Sequence, residues 1–363
     1  MTTFALVTCA HGAESVVKPQ LADAGWRLAF SRPGLVTAKH DADHRVVPEG
    51  GFIRTAMTSI ATVRGDHTSD MIAQAAAAIA PMRGQGLPER FDHLHVFARD
   101  RAPVGKFDFE PEPDELTQAI ASEIGSRLPA ATKCDSVAAT KCDLIAANMP
   151  NQIADPMQTV LDVAMVDPTH WIIATHRATA AVHSRWPGGV MPITPKHRPI
   201  SRAYYKAAEA IAFAGFDVQA GQRAVEIGSA PGGASGYLLE RGLHVVGVDP
   251  AEMDPRIANH PRLTHHRARG GDLPRRVYAD AQWMLVDSNV RPDQTLSTIE
   301  NIVTHPSTSF RGVIVTLKIG GYHHVDRIDG WVNRMQTWEP KSIRWKHLAR
   351  NKIEITAAIT FGG

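Results

Sequence analysis

Cysteine is scarce: three residues in 363, Cys9, Cys134 and Cys142, with no CxxC pair. Such an odd set encodes neither a disulfide framework nor a cysteine zinc site, and a reducing cytoplasm is the expected setting. Cys134 and Cys142 sit in a near-tandem AATKCD (130–135 and 138–143), read as a local duplication without a role. Long apolar runs are missing too. The best candidate, 71–82, is a short alanine-rich piece interrupted by Gln74 and Pro81, well short of the ~18 residues a membrane helix needs, so no span is expected. No basic residue precedes Lys18, which leaves the N-terminus without the charged region of a secretory signal or the arginines of a transit peptide. Histidine is plentiful at 18, but no HExxH or spaced His/Asp cluster marks a metal centre, and none is expected.

What remains is ordinary globular composition, 44% apolar and 21% charged, at a length that favours two domains. Charge is unevenly spread: residues 1–195 hold 17 Lys/Arg against 21 Asp/Glu, and 196–363 hold 22 against 16. A mild basic excess in the second half is compatible with a polyanionic substrate but does not require one. Four prolines and two glycines in 185–199 (RWPGGVMPITPKHRP) read as a linker, with the boundary near 190. Before it, FALVTC, RLAF, LVTA, 93–98, 159–166 and 171–175 read as strands. A stretch ending at Ala24, 68–80 and 113–127 read as helices, with the acidic FDFEPEPDE (107–115) as a solvated loop. This half, 1–190, is a mixed α/β domain with no chemical motif.

The second half, 195–363, alternates regularly. Apolar or β-branched runs at 224–228, 243–248, 262–266, 282–287 and 312–318 are separated by helix-length segments, the pattern of a parallel sheet covered on both faces. Residues 342–348 and 353–360 are joined by too few residues for a crossover and should pair as an antiparallel hairpin at the sheet edge. The expected fold is therefore α/β: a doubly wound, mostly parallel, seven-stranded sheet with a terminal hairpin, after an N-terminal mixed α/β domain.

Glycines after the first strand of such a sheet let backbone approach a ligand at the strands' carboxyl ends. The turn is Gly228, Ser229, Ala230, Pro231, Gly232 and Gly233. Ala230 breaks a GxGxxG pattern, no GKS/T follows, and Ser235 lacks a GxSxG frame, which weakens dinucleotide, nucleoside-triphosphate and serine-hydrolase readings. Asp249, ending the second strand, can accept two hydrogen bonds from a ribose diol. A nucleoside cofactor with little phosphate fits best, and Gly232→Val is expected to fill the ligand's space with the fold retained.

Through SRAYYKAAEA (201–210), EIGSAPGG (226–233), VVGVDP (245–250), WMLVDSNVRP (283–292), VTLKIGG (315–321) and KHLARNKIEIT (346–356), the chain resembles the FtsJ-like RNA ribose 2′-O-methyltransferases. More narrowly, it is similar to the bacterial large-subunit ribosomal RNA cytidine 2′-O-methyltransferase M group, which carries a THUMP-type RNA-binding region ahead of its catalytic domain. The resemblance implies S-adenosylmethionine as cofactor and RNA as partner. It also implies a Lys206, Asp287, Lys318, Glu354 tetrad, with cofactor contacts at Ser201, Ser229, Ala230, Pro231, Gly232, Gly233, Asp249 and Asp287. Where the family has an acidic residue for the adenine, this chain has Arg269, with Asp272 three residues on.

In-line methyl transfer to a ribose hydroxyl needs alignment and one base. Lys318 can be that base if burial and the nearby Lys206 cation lower its pKa from ~10.4; Asp287 would orient Lys318, and Glu354 would hold Lys206. Arg344, Trp345, Lys346, His347, Arg350 and Lys352 mix cations with an aromatic, as RNA surfaces do. The alternatives are a methyltransferase acting on something other than RNA, and a non-catalytic RNA-binding protein. The first should lack the paired lysines, and the second should have lost Lys318 or the glycine turn.

Overall fold

A computed structural model describes residues 2–41, 49–79, 91–128 and 150–362. The AATKCD duplication lies outside them. The chain divides into two compact units, Met1–Pro192 and Ile193–Gly363.

The first unit runs β1 (Thr3–Thr8), α1 (Glu14–Asp23), β2 (Arg27–Arg32), β3 (Leu35–His40), β4 (Thr55–Arg64), α2 (Thr68–Ile79), β5 (His93–Ala98), α3 (Glu115–Arg127), β6 (Thr159–Asp167) and β7 (His170–Arg177). Its strands form one sheet in the order β2-β3-β1-β4-β7-β6-β5, antiparallel except for β5 with β6. Strand alternation sends Leu161, Val163, Trp171 and Ile173 to the face covered by α2 and α3. Leu6, Leu35, Met57 and Ile172 go to the opposite face. Asp114 starts α3 with a reciprocal capping box to Thr117.

Two expectations change here. Strand β4 goes unread in the sequence because it is rich in threonine and its register against β7 shifts between Ser59 and Ala61, which breaks the alternation. The first part of the expected linker is packed into this unit. Trp186, Pro187, Gly188, Gly189 and Val190 are buried, and Thr8 Oγ1 donates to the Gly188 carbonyl. A Cβ on Gly188 would lie 2.7 Å from the Phe97 ring and one on Gly189 2.7 Å from Thr55 Oγ1, and both have positive φ, so these glycines serve a tight packed turn and not a flexible linker.

The second unit runs α4 (Ala203–Ala214), β8 (Arg223–Ile227), α5 (Gly233–Glu240), β9 (His244–Val248), α6 (Pro255–Ala258), β10 (Leu263–His266), β11 (Trp283–Val286), α7 (Pro292–Val303), β12 (Gly312–Lys318), α8 (Arg327–Gln336), β13 (Ser342–Lys346) and β14 (Glu354–Thr360). The sheet order is β10-β9-β8-β11-β12-β14-β13. The first five strands are parallel, and β14 runs antiparallel between β12 and β13. Strands β8, β11 and β12 are buried along nearly their whole length, as a sheet with both faces covered requires. The carboxyl ends of the parallel strands therefore gather the turns at 228–232, 249–254, 267–272, 287–291 and 319–325 on one edge. Among the described residues, no helix is long and apolar enough to cross a membrane.

Candidate active site

The turn after β8 is built on necessity at Gly228. Its φ is +87°, and a Cβ there would lie 2.4 Å from the Asp287 carbonyl oxygen, so only glycine lets the β8 turn meet the end of β11. Ser229 follows, 1% exposed, and its Oγ has no hydrogen-bond partner among the described residues. Gly232, at φ +110°, starts α5; a Cβ there would meet Ile257 Cδ1 at 2.3 Å. Gly232→Val is thus a clash with packed protein at a strained backbone position, and not, as expected, an intrusion into ligand space with the fold retained. A Cβ on Gly233 would strike Ser201 Oγ at 2.2 Å, which brings Ser201 against the turn.

Beside the turn lies a cleft of ≈ 850 Å³, within the range of small-ligand sites. Of the expected cofactor residues, Ala230, Asp249 and Asp287 line it. Ser201, Ser229, Pro231, Gly232 and Gly233 form or brace the turn without lining it. Asp249 keeps one carboxylate oxygen on the Ala251 N–H at 2.8 Å, which fixes the side chain at the mouth of β9. Arg269 and Asp272 both line the cleft.

The tetrad assembles at the next strands along. Lys206, on the first turns of α4, donates from Nζ to Asp287 Oδ2 at 2.7 Å and to Glu354 Oε1 at 2.6 Å. Burial works against the Lys206 charge, but the two carboxylates outweigh it and its pKa goes up. Burial likewise works against Glu354, and Lys206, then the Lys352 N–H, hold its carboxyl below the ordinary range. Lys318 and Glu354 face each other across the β12–β14 register. The Nζ of Lys318 donates to Asn289 Oδ1.

The structure corrects one expectation and completes another. Glu354 holds Lys206 as expected, but Asp287 is committed to Lys206 and does not orient Lys318. Lys206 is accordingly a compensated cation and not a free charge acting on its neighbour. Asn289, two residues after Asp287, takes the orienting part; it stood in the quoted WMLVDSNVRP with nothing in its spacing to single it out.

Two further carboxylates escaped the sequence reading. Glu209, 1% exposed and one turn beyond Lys206, accepts the Ala349 and Arg350 N–H groups at 3.0 and 2.9 Å, pinning the loop that leads into Glu354. Glu226, 3% exposed on β8, accepts from Ser235 Oγ, and burial pushes its carboxyl up to about 8. It shares a cavity of ≈ 30 Å³ with Lys206 and Asp287.

The segment expected to touch RNA divides: Arg344 and Lys352 are exposed and Trp345 half-buried, and the other three turn inward. Lys346, His347 and Arg350 are buried; the Arg350 guanidinium lies over Tyr205 at 4.8 Å, and Arg344 donates to the Ala214 carbonyl at the end of α4. Arg350 and Arg344 thereby brace the unit internally. Among the described residues, no group of three or more His, Cys, Asp or Glu is placed to hold a metal ion.

Residues 199–305 match the family model described as FtsJ-like methyltransferase. The match takes in Ser201, Lys206, the glycine turn, Asp249 and Asp287, and stops short of Lys318 and Glu354. Ribosomal RNA large subunit methyltransferase M of Aromatoleum aromaticum is 28% identical over 198 residues, 52% of each chain. The protein of that name from Thauera aminoaromatica is 27% identical over 187 residues, 49% of this chain and 50% of its own. That from Halorhodospira halophila is 31% identical over 110 residues, 30% of this chain and 32% of its own. The aligned part spans about half the length of the first two relatives. The family match and the assembled lysine–carboxylate cluster thus fall on one unit, and it is this unit that is similar to the FtsJ-like methyltransferases.

Proposed function

We propose that this protein transfers a methyl group from S-adenosylmethionine to a ribose 2′-hydroxyl of RNA, at a cytidine of large-subunit ribosomal RNA, in the cytoplasm. The observation that carries the reading is the pair of lysines at one strand edge. One is locked between Asp287 and Glu354, and the other is held by a neutral amide, directly beside a cleft with a carboxylate at the mouth of β9. The names of the relatives support the choice of ribosomal RNA.

The residues fit the cofactor. The unpartnered Ser229 Oγ, the close-packed Gly228 turn and the Asp249 carboxylate offer hydrogen-bonding groups and backbone access suited to a nucleoside with little phosphate. S-adenosylmethionine supplies an electrophilic sulfonium methyl when bound. The chain's own work is to place the hydroxyl and take its proton. Lys318 Nζ, in its neutral amine form after losing its extra proton to solvent, accepts that proton, with Asn289 fixing where Nζ stands; Lys206 stays charged between its carboxylates and holds Asp287 in place. The second unit, 195–363, performs the chemistry, and the first, a THUMP-like domain over 1–190, selects the RNA.

Incubating the protein with labelled S-adenosylmethionine and total RNA from a cell lacking it, followed by nuclease mapping, tests the reading. Label at one ribose 2′-oxygen of large-subunit RNA is expected. Label on a base, or on no RNA, would overturn it.

A further inference from the structure

The first unit carries a net negative charge, so any contact it makes with RNA must come from a local cluster of cations. Most of its buried or paired arginines are spent: Arg27 on Asp41, Arg54 on Asp100, Arg127 on Glu123 and Arg185 on Asp155. Arg32, Arg64 and Arg99 have no carboxylate within ion-pair distance among the described residues.

Arg32 and Arg64 lie near His170, and Arg99 near Asp167, three residues before it. Arg32 ends β2 and Arg64 ends β4, where it pairs in register with His170 at the start of β7. Arg99 follows β5. The His170 ring lies edge-on to Phe30, centroids 5.8 Å apart, and the Arg32 guanidinium sits over that same Phe30 ring at 4.6 Å. The stack holds the guanidinium plane in place; Nη1 donates to the Ser31 carbonyl at 3.2 Å, and the remaining N–H groups are left for a ligand. Arg99 is anchored by Nε on the Val166 carbonyl at 2.5 Å and by Nη1 on the Pro33 carbonyl at 3.0 Å. Burial, then Arg64, lower the His170 pKa, so the ring stays neutral among the arginines. Asp167 is the carboxylate nearby, and it is engaged by the Thr169 N–H and hydroxyl at 3.0 Å each.

Resting on the reading that the substrate is RNA, we propose that Arg32, Arg64 and Arg99, with Phe30 as the support for Arg32, form the surface on which the first unit holds the RNA sugar-phosphate backbone. Planar guanidiniums anchored on carbonyls and an aromatic face suit phosphate oxygens, which they can grip in pairs. The contact is with phosphate and ribose, so it contributes affinity and register, not base choice.

The test is binding of the full chain to transcribed large-subunit ribosomal RNA across a KCl series, beside methyl-transfer kinetics on that RNA. The double variant R32E/R64E should bind at least about tenfold more weakly near physiological salt. Its log K versus log salt slope should shrink by about 1.4, two phosphate contacts at ~0.7 each for single strands. R27E, the same charge change at an arginine paired elsewhere, should stay within about twofold of the parent. Calorimetric affinity for S-adenosylmethionine should be unchanged, and the kinetic loss should appear in KM. RNA affinity within twofold of the parent for R32E/R64E, or an equal loss for R27E, overturns the proposal. If no RNA is methylated yet R32E/R64E still loses RNA selectively, the functional reading fails and the surface stands. If methylation proceeds with an unchanged KM, the surface fails and the functional reading stands.

Discussion

Both units are seven-stranded sheets, and they dispose of their charged side chains in opposite ways. In the parallel sheet the ionisable groups sit at strand ends: Asp249, Asp287, Lys318 and Glu354 all mark where a strand begins or stops. In the mostly antiparallel sheet the interior ones are consumed in pairs, and those left without a carboxylate among the described residues, Arg32, Arg64 and Arg99, stand at or just past strand ends. Arg54 meets Asp100 in a two-pronged fork, with both side chains under 5% exposed. Asp162 on β6 accepts from His176 Nδ1 on β7 at 2.6 Å. Parallel strands must send their connections over the faces, so their carboxyl ends are left as a common rim where side chains from distant parts of the sequence can cooperate. Antiparallel neighbours close through turns, and a polar group inside them finds its partner across the ladder or not at all. The difference predicts that removing a charge from the second unit costs chemistry, whereas removing one from the interior of the first costs stability.

The largest expected effect is at Lys318. Lys318→Ala should lower the methyl-transfer rate by about 10²–10⁴-fold, the usual worth of general-base catalysis, with cofactor affinity little changed. Lys318→Arg should be nearly as damaging, since a guanidinium stays protonated and cannot take the hydroxyl's proton. Single-turnover rates with both variants decide the matter. An active arginine variant would assign Lys318 to charge stabilisation and leave fold and cofactor untouched.

The matching change in the first unit is His176→Ala. The imidazole bonds two acceptors, Asp162 through Nδ1 and the Ser184 carbonyl through Nε2 at 2.7 Å, so both nitrogens donate and the ring is a cation. Burial alone would lower its pKa, yet the Asp162 carboxylate raises it above the ordinary value. Truncation strands a buried carboxylate, and the first unit should lose about 3–5 kcal/mol, read as hydrogen exchange of β6 and β7. Cofactor affinity should hold. Because the folded pKa is raised, the stabilisation is fully present below pH ~6.5 and is lost as pH climbs through the folded value. His95, buried with its pKa lowered to about 4, has the opposite effect, costing stability as pH falls from ~6.5 toward 4. The pH dependence should therefore be taken as the difference between parent and variant.

How much of this was legible beforehand depends on whether a residue's role forces its identity. The 228–233 turn could be read because positive φ and backbone contact at Gly228 admit one residue type, and the alternation of buried runs gave the parallel strands directly. The pairing of Lys206 with Glu354, 148 positions apart, came only through likeness to a family. Asn289 and Glu209 were invisible because an amide in a loop or a glutamate on a helix is ordinarily solvated, and nothing local marks the partner. Lys346, His347 and Arg350 misled for a related reason. Cations beside an aromatic look the same whether the guanidinium faces RNA or lies over a neighbouring Tyr205, and only burial tells the two apart.

Glu226 sharpens the comparison, since it is an interior carboxyl of the second unit whose hydrogen-bond partner is the Ser235 hydroxyl and not a cation. Its folded pKa of about 8 stands above the ordinary 4.5. The raised value means that its contribution to stability is full below pH ~4.5 and is lost as pH rises toward 8, where the unfolded chain ionises freely and the folded one resists. Glu226→Gln should therefore raise stability at pH 8 by about 2–4 kcal/mol and leave it nearly unchanged at pH 4.5, measured as urea midpoints at the two values. Equal midpoint shifts at both would show that the carboxyl is not held neutral.

The smallest effect tests whether the rim is tuned as finely as its geometry suggests. Asn289→Ala removes the one oxygen that Lys318 Nζ reaches among the described residues, without altering the Lys206 cluster, which Asp287 and Glu354 hold from the other side. A single hydrogen bond contributes about 0.5–1.5 kcal/mol net, so kcat should fall by about 2- to 12-fold. Asn289 also lines the cleft, so cofactor affinity must be measured alongside. If Asn289 acts by placing Lys318, the loss should vanish in a Lys318→Ala background, where there is no amine left to place. An undiminished loss in that background would assign Asn289 to the cleft alone, and the orientation of Lys318 would then have to come from the substrate.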